Sequence, residues 1–177
     1  MEKEIDLQGI LSVLETYDNN KSLLFVNPDG NLETFFTYKG TLVEINKMHL
    51  RKLANMSTDK ENEEKIRENL VYGIQMGYWL VFNMGSDSNF NLDNFFKSFS
   101  FYNKNTWYNF QNYKDKGFMI KSGLLKNTDD KDVFGNSGGY TPHDTFKICY
   151  LCSCPINELE TLKKNIDPSL FDIYIVK

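Results

Sequence analysis

Apolar and polar positions alternate in two distinct rhythms along this chain, and the switches between them mark the elements. Ile5, Leu7, Ile10, Leu11, Val13 and Leu14 recur at helical spacing and predict an amphipathic N-terminal helix, broken by Asp18-Asn19-Asn20. Leu23-Leu24-Phe25-Val26 is a continuous apolar run closed by Asn27-Pro28-Asp29-Gly30-Asn31, the pattern of a strand buried on both faces and followed by a turn. A brief helix is expected over 32–38, and the β-branched alternation of Thr41-Leu42-Val43-Glu44-Ile45 predicts a second strand. The plainest helix spans 60–76: Ile66, Leu70, Tyr72 and Ile74 keep its spacing, and Glu61, Glu63, Glu64 and Glu68 crowd its first half, where the helix dipole favours negative charge. Gly77 stops it, and Trp79-Leu80-Val81-Phe82 follows at once as a buried strand.

The same rhythm returns near the C-terminus. A strand is expected over 145–152, a helix over 156–166 after Pro155, and a final alternating strand over 171–176. Five strands, at about 22–27, 41–46, 79–84, 145–152 and 171–176, alternating with helices, predict an α/β fold. Its mainly parallel sheet is covered on both faces and joined by right-handed crossovers. No repeat or Pro/Gly/Ser linker divides the chain, so 1–177 is read as one domain with a long excursion at 86–139. That excursion holds 11 aromatic residues between Phe90 and Phe118, too many for a disordered linker, whereas 127–139, with its Asp pair and three glycines, has a mobile composition.

Composition narrows the partners. The net charge of −4 opposes a general electrostatic hold on nucleic acid or an anionic membrane. No apolar run approaches a membrane span, and the chain opens on charges rather than a leader, so a cytoplasmic setting is expected. Twenty Asn, and 18 Lys against only Arg51 and Arg67, reflect a coding bias, and lysine clusters are discounted accordingly.

With the strands in place, three segments resemble a known family. Leu23–Gly30 (LLFVNPDG) looks like the first strand and turn of the fifth AAA module of dynein heavy chains. Leu70–Met84 (LVYGIQMGYWLVFNM), continued by Asp87, Asn91, Leu92 and Asp93, is similar to that module's helix and third strand. Tyr140–Cys154 (YTPHDTFKICYLCSC) resembles its fourth-strand segment. Related degenerate modules occur in proteins carrying IQ and ankyrin repeats. The resemblance implies a P-loop-type three-layer sandwich with five strands in the order 5-1-4-3-2, no small helical lid subdomain, and a cytoskeletal, dynein-related setting. The chain departs from the pattern at Asn27, where the family has Asp, and at Cys152-Ser153, where it has a Thr pair.

The chemistry that such a fold invites is nucleotide hydrolysis, which requires G-x-x-x-x-G-K-[ST] for the phosphates and acidic residues at the end of the third strand for magnesium. Here Asn27, Pro28, Asp29, Gly30 and Asn31 form at most a vestigial phosphate loop, with one glycine and no lysine, and Phe82-Asn83-Met84 supplies no acid. The expectation is therefore a non-catalytic scaffold or protein-interaction module with no cofactor and no metal.

A second reading stays open. Cys149, Cys152 and Cys154, with His143 upstream, nominally make a Cys3His set for zinc or a thiol enzyme, and His49 offers another Cys–His pairing. On a strand, however, Cys152 and Cys154 share a face that Cys149 does not. Asp129, Asp130 and Asp132 lack the Glu that would complete a calcium loop. Phe101, Tyr102, Trp107, Tyr108 and Tyr113 interleave with Lys97, Lys104, Lys114, Lys116 and Lys121 as in single-strand binding platforms, but the acidic balance argues for packing or a protein partner instead. Within this stretch, Trp107 and Tyr108 are the candidate anchors for that partner, on a segment 90–118 expected to cap one end of the sheet.

Overall fold

Each of the five apolar runs forms a strand in the computed structural model, which describes residues 2–177, and a sixth joins them at the N-terminus. The strands are β1 (Lys3–Ile5), β2 (Ser22–Val26), β3 (Thr41–Val43), β4 (Trp79–Asn83), β5 (Lys147–Cys152) and β6 (Phe171–Val176). They make one sheet in the order β1-β6-β2-β5-β4-β3, with every pair parallel. The expected five-stranded sheet is thus corrected to six strands, with β1 as an additional edge beyond β6. Ile5 belongs to that strand rather than to the first helix. Asp6 separates the two by capping α1 (Leu7–Thr16), its carboxylate accepting the Gly9 N–H at 2.8 Å.

Between the strands run α2 (Asn31–Lys39), α3 (Ile45–Leu53), α4 (Asp59–Met76) and α8 (Leu159–Asn165), with the short helices α5 (Leu92–Phe96), α6 (Lys104–Trp107) and α7 (Lys116–Lys121) inside the 86–139 excursion. Helix α3 replaces the tail of the second expected strand, so that strand ends at Val43 rather than Ile45. Helix α4 begins with a capping box: the Thr58 hydroxyl accepts the Glu61 N–H, and the Glu61 carboxylate accepts the Thr58 N–H at 2.7 Å.

Strands β2 and β5 are buried at every position, which a parallel sheet covered on both sides requires. One face is covered by α2, whose Phe36 ring lies 5.9 Å from Phe25. The opposite face carries Phe82 and Tyr150, adjacent in register, and is covered by α4 and the excursion. The buried side chains of both faces belong to one contiguous apolar cluster.

The α4–β4 joint is tight. Gly77 has φ +70°, and a Cβ there would stand 2.3 Å from the Thr145 hydroxyl and 2.7 Å from His143 Nδ1. Both the backbone conformation and the close approach demand glycine. Gly77→Val is therefore expected to lower unfolding free energy by about 2 kcal/mol or more in denaturant titration.

Candidate functional site

In open parallel sheets, ligands gather outside the carboxyl ends of the strands, and that edge is the candidate site here. Strand β2 ends at Val26 and α2 starts at Asn31, leaving only Asn27–Gly30 between them. The turn closes on itself: the Gly30 N–H donates to the Asn27 carbonyl at 3.1 Å, and Gly30 takes φ +71°. Asn27 is wholly buried. Its backbone N–H donates to the Cys152 carbonyl at 2.9 Å, and its Oδ1 accepts the Leu32 N–H at 2.9 Å, so an internal side chain caps α2. Glu33 places a carboxylate in the same first turn.

The end of β4 is equally committed. Asn83, also buried, donates from Nδ2 to the Glu44 carboxylate at 2.8 Å and accepts the Gly85 N–H at 2.9 Å. Glu44 in turn pairs with Lys47 at 3.0 Å. Backbone bonds from Met84 to Leu151 and from Ser153 to Gly85 stitch β4 to β5 beyond the strands themselves. Two buried polar atoms on neighbouring strand ends, Asn27 Nδ2 and Ser153 Oγ, have no partner among the described residues. Asn27, Pro28, Asp29, Gly30 and Asn31 are therefore brought to the place where a phosphate loop would stand, in a turn too short to wrap a phosphate.

The three cysteines and His143 do not assemble. All three thiols are fully buried in or beside β5, with Cys149 paired to Leu23 and Cys152 to Val26 in register. Strand alternation sends Cys149 to the opposite face from Cys152. Burial raises the Cys149 thiol pKa well above its usual range. His143 sits in the loop before β5, its Nδ1 2.9 Å from the Thr145 hydroxyl, and His49 packs edge-on to Phe90 and Phe95. Among the described residues, no three His, Cys, Asp or Glu side chains come together to hold a metal ion. The aspartates of 129–132 also go separate ways: Asp129 pairs with Arg67 at 2.6 Å, Asp130 with Lys116 at 2.7 Å, and Asp132 binds the Phe134 and Asn136 N–H groups of its own loop. The segment expected to be mobile is thereby tied down at several points.

Trp107 and Tyr108 correct the expectation made for them. They are 2% and 3% exposed, so neither is presented to a partner. The Trp107 indole donates to the Tyr150 hydroxyl at 2.9 Å and lies between Phe96, at 4.8 Å, and Phe101, at 5.7 Å. The Tyr108 carbonyl accepts the Ser22 hydroxyl at 2.8 Å, and its ring meets Phe171. The excursion covers a face of the sheet, not one end of it, because β4 and β5 present aromatic rings there that only other rings match in size and edge-to-face geometry. Phe101 and Tyr113 are turned inward with them, which removes the stacking platform suggested by their spacing, while Lys104 and Lys116 are spent on Asp93 and Asp130. Above this cluster, Phe101, Tyr102, Thr106 and Phe118 line a cleft of about 490 Å³, with Lys121 at its rim. The 11-aromatic count signals that the segment packs; nothing in it distinguishes an inward ring from an outward one.

Comparison with known proteins adds no relative: no family model, no curated protein and no solved structure matches the chain.

Two outcomes follow from the buried excursion and its latch to α4. Trp107→Ala is expected to lower stability by about 3–5 kcal/mol, the range for deleting a core aromatic, in a urea titration. The latch is Arg67, 4% exposed, which holds Glu64 and Asp129 and donates to the Leu124 carbonyl at 3.1 Å. Hydrogen bonds from Arg67 and Lys126 hold the Glu64 carboxyl down at about 2, from an ordinary 4.5. Because the folded carboxyl is the stronger acid, its contribution is complete above about pH 4.5 and is lost as pH falls toward 2. Thermal melts over that window should show a shallower acid loss for Glu64→Gln than for the wild type.

Proposed function

We propose that this chain is a P-loop-type, AAA-like module, akin to the fifth AAA module of dynein heavy chains, that acts as a non-catalytic scaffold or protein-interaction domain. The observation that carries the reading is the β2–α2 connection: Asn27–Gly30, closed by Gly30 and capped by Asn27, offers one glycine, and the first turn of α2 carries Glu33 and no lysine where a phosphate-wrapping loop needs both its glycines and a lysine. Hydrolysis also needs an acid to hold magnesium at the end of β4. Asn83 occupies that end, and the nearest carboxylate, Glu44, is already engaged by Asn83 and Lys47.

The positions of the strands support the reading in a second way. Without β1, the sheet runs β6-β2-β5-β4-β3, so the β2–α2 turn lies at a central strand, where the direction of strand succession reverses. The module keeps the architecture of a nucleotide site and lacks the groups that do its chemistry. Among the described residues no helix is long and apolar enough to cross a membrane, and the cytoskeletal setting that the family likeness implies supports a protein partner.

Asn27 Nδ2 and Ser153 Oγ make nucleotide the right ligand to test, because both are polar atoms left without a partner at that edge. Millimolar Mg-ATP is expected to leave the melting temperature unchanged, since any ligand bound to the native state alone must raise it. A reproducible rise of several degrees, or phosphate release above the background of an Asn27→Ala variant, would overturn the non-catalytic reading.

A further inference from the structure

Two tyrosines flank the Gly77 stop, Tyr72 near the end of α4 and Tyr78 at the entry to β4. Tyr72 keeps the apolar spacing of its helix in the sequence, yet it turns outward. The pair is 56% and 40% exposed, with ring centroids 5.8 Å apart and ring planes at 71°. Hydrogen bonding to the Tyr72 hydroxyl raises the Tyr78 phenol above its ordinary value, so the hydroxyl ends of the two rings meet. The ortho carbons, one bond from the carbon that bears each hydroxyl, come together with them. Neither ring belongs to the apolar cluster of the core. The backbone nevertheless fixes both. The Tyr78 N–H donates to the Gly73 carbonyl at 3.0 Å, and the Tyr78 carbonyl accepts the Lys147 N–H at 3.4 Å.

Among the described residues, no other tyrosines combine ring contact with exposure. Tyr102 and Tyr108 lie 6.5 Å apart, and Tyr108 and Tyr150 5.8 Å apart. Tyr108 and Tyr150 are buried, and the hydroxyls of Tyr102 and Tyr108 are both donated to Asp93. Tyr38 is more exposed, at 83%, but takes no part in the ring pairs that its helix neighbours Phe35 and Phe36 make. Exposure lets an oxidant in solution reach a phenol. Contact then decides the product, because a tyrosyl radical without a neighbour has to find a second molecule, whereas one held against another phenol reacts at a high effective concentration.

We propose that Tyr72 and Tyr78 form an oxidative modification site, at which a one-electron oxidant closes an intramolecular dityrosine bond across the α4–β4 joint. The oxidant removes one electron from each phenol, and each hydroxyl proton leaves to water. The two phenoxyl radicals couple through one ortho carbon of each ring, and a C–C bond forms. The hydrogen on each coupled carbon then moves to the oxygen of its own ring, which restores both aromatic rings and both hydroxyls. In sum the protein loses two electrons and two protons, and two equivalents of oxidant are reduced. The bond closes a loop of chain through Gly77 and locks the helix stop that its φ of +70° defines. The site lies at the amino end of β4, away from the carboxyl edge of the sheet, and is independent of the non-catalytic reading.

The test is brief illumination of the native protein with ruthenium tris-bipyridyl and persulfate, which together generate a one-electron oxidant, followed by denaturing electrophoresis and peptide mapping. No lysine or arginine lies between Arg67 and Lys97, so trypsin releases both tyrosines on one peptide. In protein that still runs as a monomer, that peptide is expected to be two hydrogen atoms lighter. It should carry dityrosine fluorescence and resist fragmentation between residues 72 and 78. Tyr72→Phe and Tyr78→Phe should each abolish this product, and because each removes only an exposed hydroxyl, both should melt as the wild type does. Tyr38→Phe should leave the product unchanged and reduce only cross-linked dimer. Protein unfolded in urea should give about tenfold less of it, since the ring contact belongs to the fold. The proposal is overturned if the native protein yields dityrosine only between molecules or none at all, if either phenylalanine variant at 72 or 78 keeps the product, or if unfolded protein yields as much.

Discussion

The Trp107 indole, hydrogen-bonded to the Tyr150 hydroxyl and enclosed by Phe82, Phe96 and Phe101, joins the 86–139 excursion to the sheet, and the fold depends on it. A parallel sheet with two apolar faces has no stable form with one face in water. Helix α2 serves one side here. On the other, β4 and β5 present Phe82 and Tyr150, and the covering layer has to bring both large rings and a donor for the Tyr150 hydroxyl. An ordinary crossover helix supplies aliphatic side chains. Short helices α5 and α6, with the turns around them, supply Phe96, Phe99, Phe101, Trp107 and Tyr108 instead, at the cost of regular helix length. The excursion is long because it is a layer.

The latch formed by Arg67 belongs to the same constraint. A layer of short helices has few backbone bonds to neighbouring elements and must be pinned by side chains. Arg67 does this from within α4, reaching Asp129 and the Leu124 carbonyl while Glu64 fixes its plane from three residues away. Lys126 and Gln75 add bonds to the same strap, from Lys126 to Glu64 and from Gln75 to the Lys131 carbonyl, and the Tyr140 hydroxyl donates to the Val71 carbonyl. A planar guanidinium with five donors suits a buried junction of three partners better than a lysine does, which accounts for one of the two arginines in a lysine-rich chain.

Much of this was legible in the sequence, for physical reasons that also mark where legibility ends. The four-residue apolar runs of β2 and β4 read as strands because only a two-sided sheet wants them, and Gly77 read as a stop because a left-handed residue was needed between helix and strand. Strand β1 was not legible: Lys3-Glu4-Ile5 is a three-residue edge, mostly exposed, whose pairing with β6 comes from backbone bonds that leave no apolar pattern. Helix α3 was hidden because Ile45 continues the β-branched alternation of β3, and its own apolar residues lie on both sides of the helix. Trp107 and Tyr108 were found as important and assigned the wrong direction, since an aromatic residue has the same composition signal in a core and at an interface. At the candidate site, the missing lysine and acids could be read directly. That Asn27 would turn its side chain back to cap α2 could not, because it depends on how few residues separate strand from helix.

The residues outside the pattern on α3 follow from the same accounting of charge and burial. Polar groups at the carboxyl edge of the sheet are largely satisfied from within, by Asn27, Asn83, Glu44 and the strand-end backbone bonds. Among the described residues, eight of the 18 lysines, Lys47, Lys52, Lys104, Lys114, Lys116, Lys126, Lys163 and Lys177, pair with a carboxylate. Arg51 and Lys65 are among the cations outside that set, and Leu50, Leu53 and Met56 are exposed like Tyr38, Val133 and Phe134. Folding explains why α3 exists, through Ile45, Met48 and His49; it gives no reason for the face that α3 turns outward.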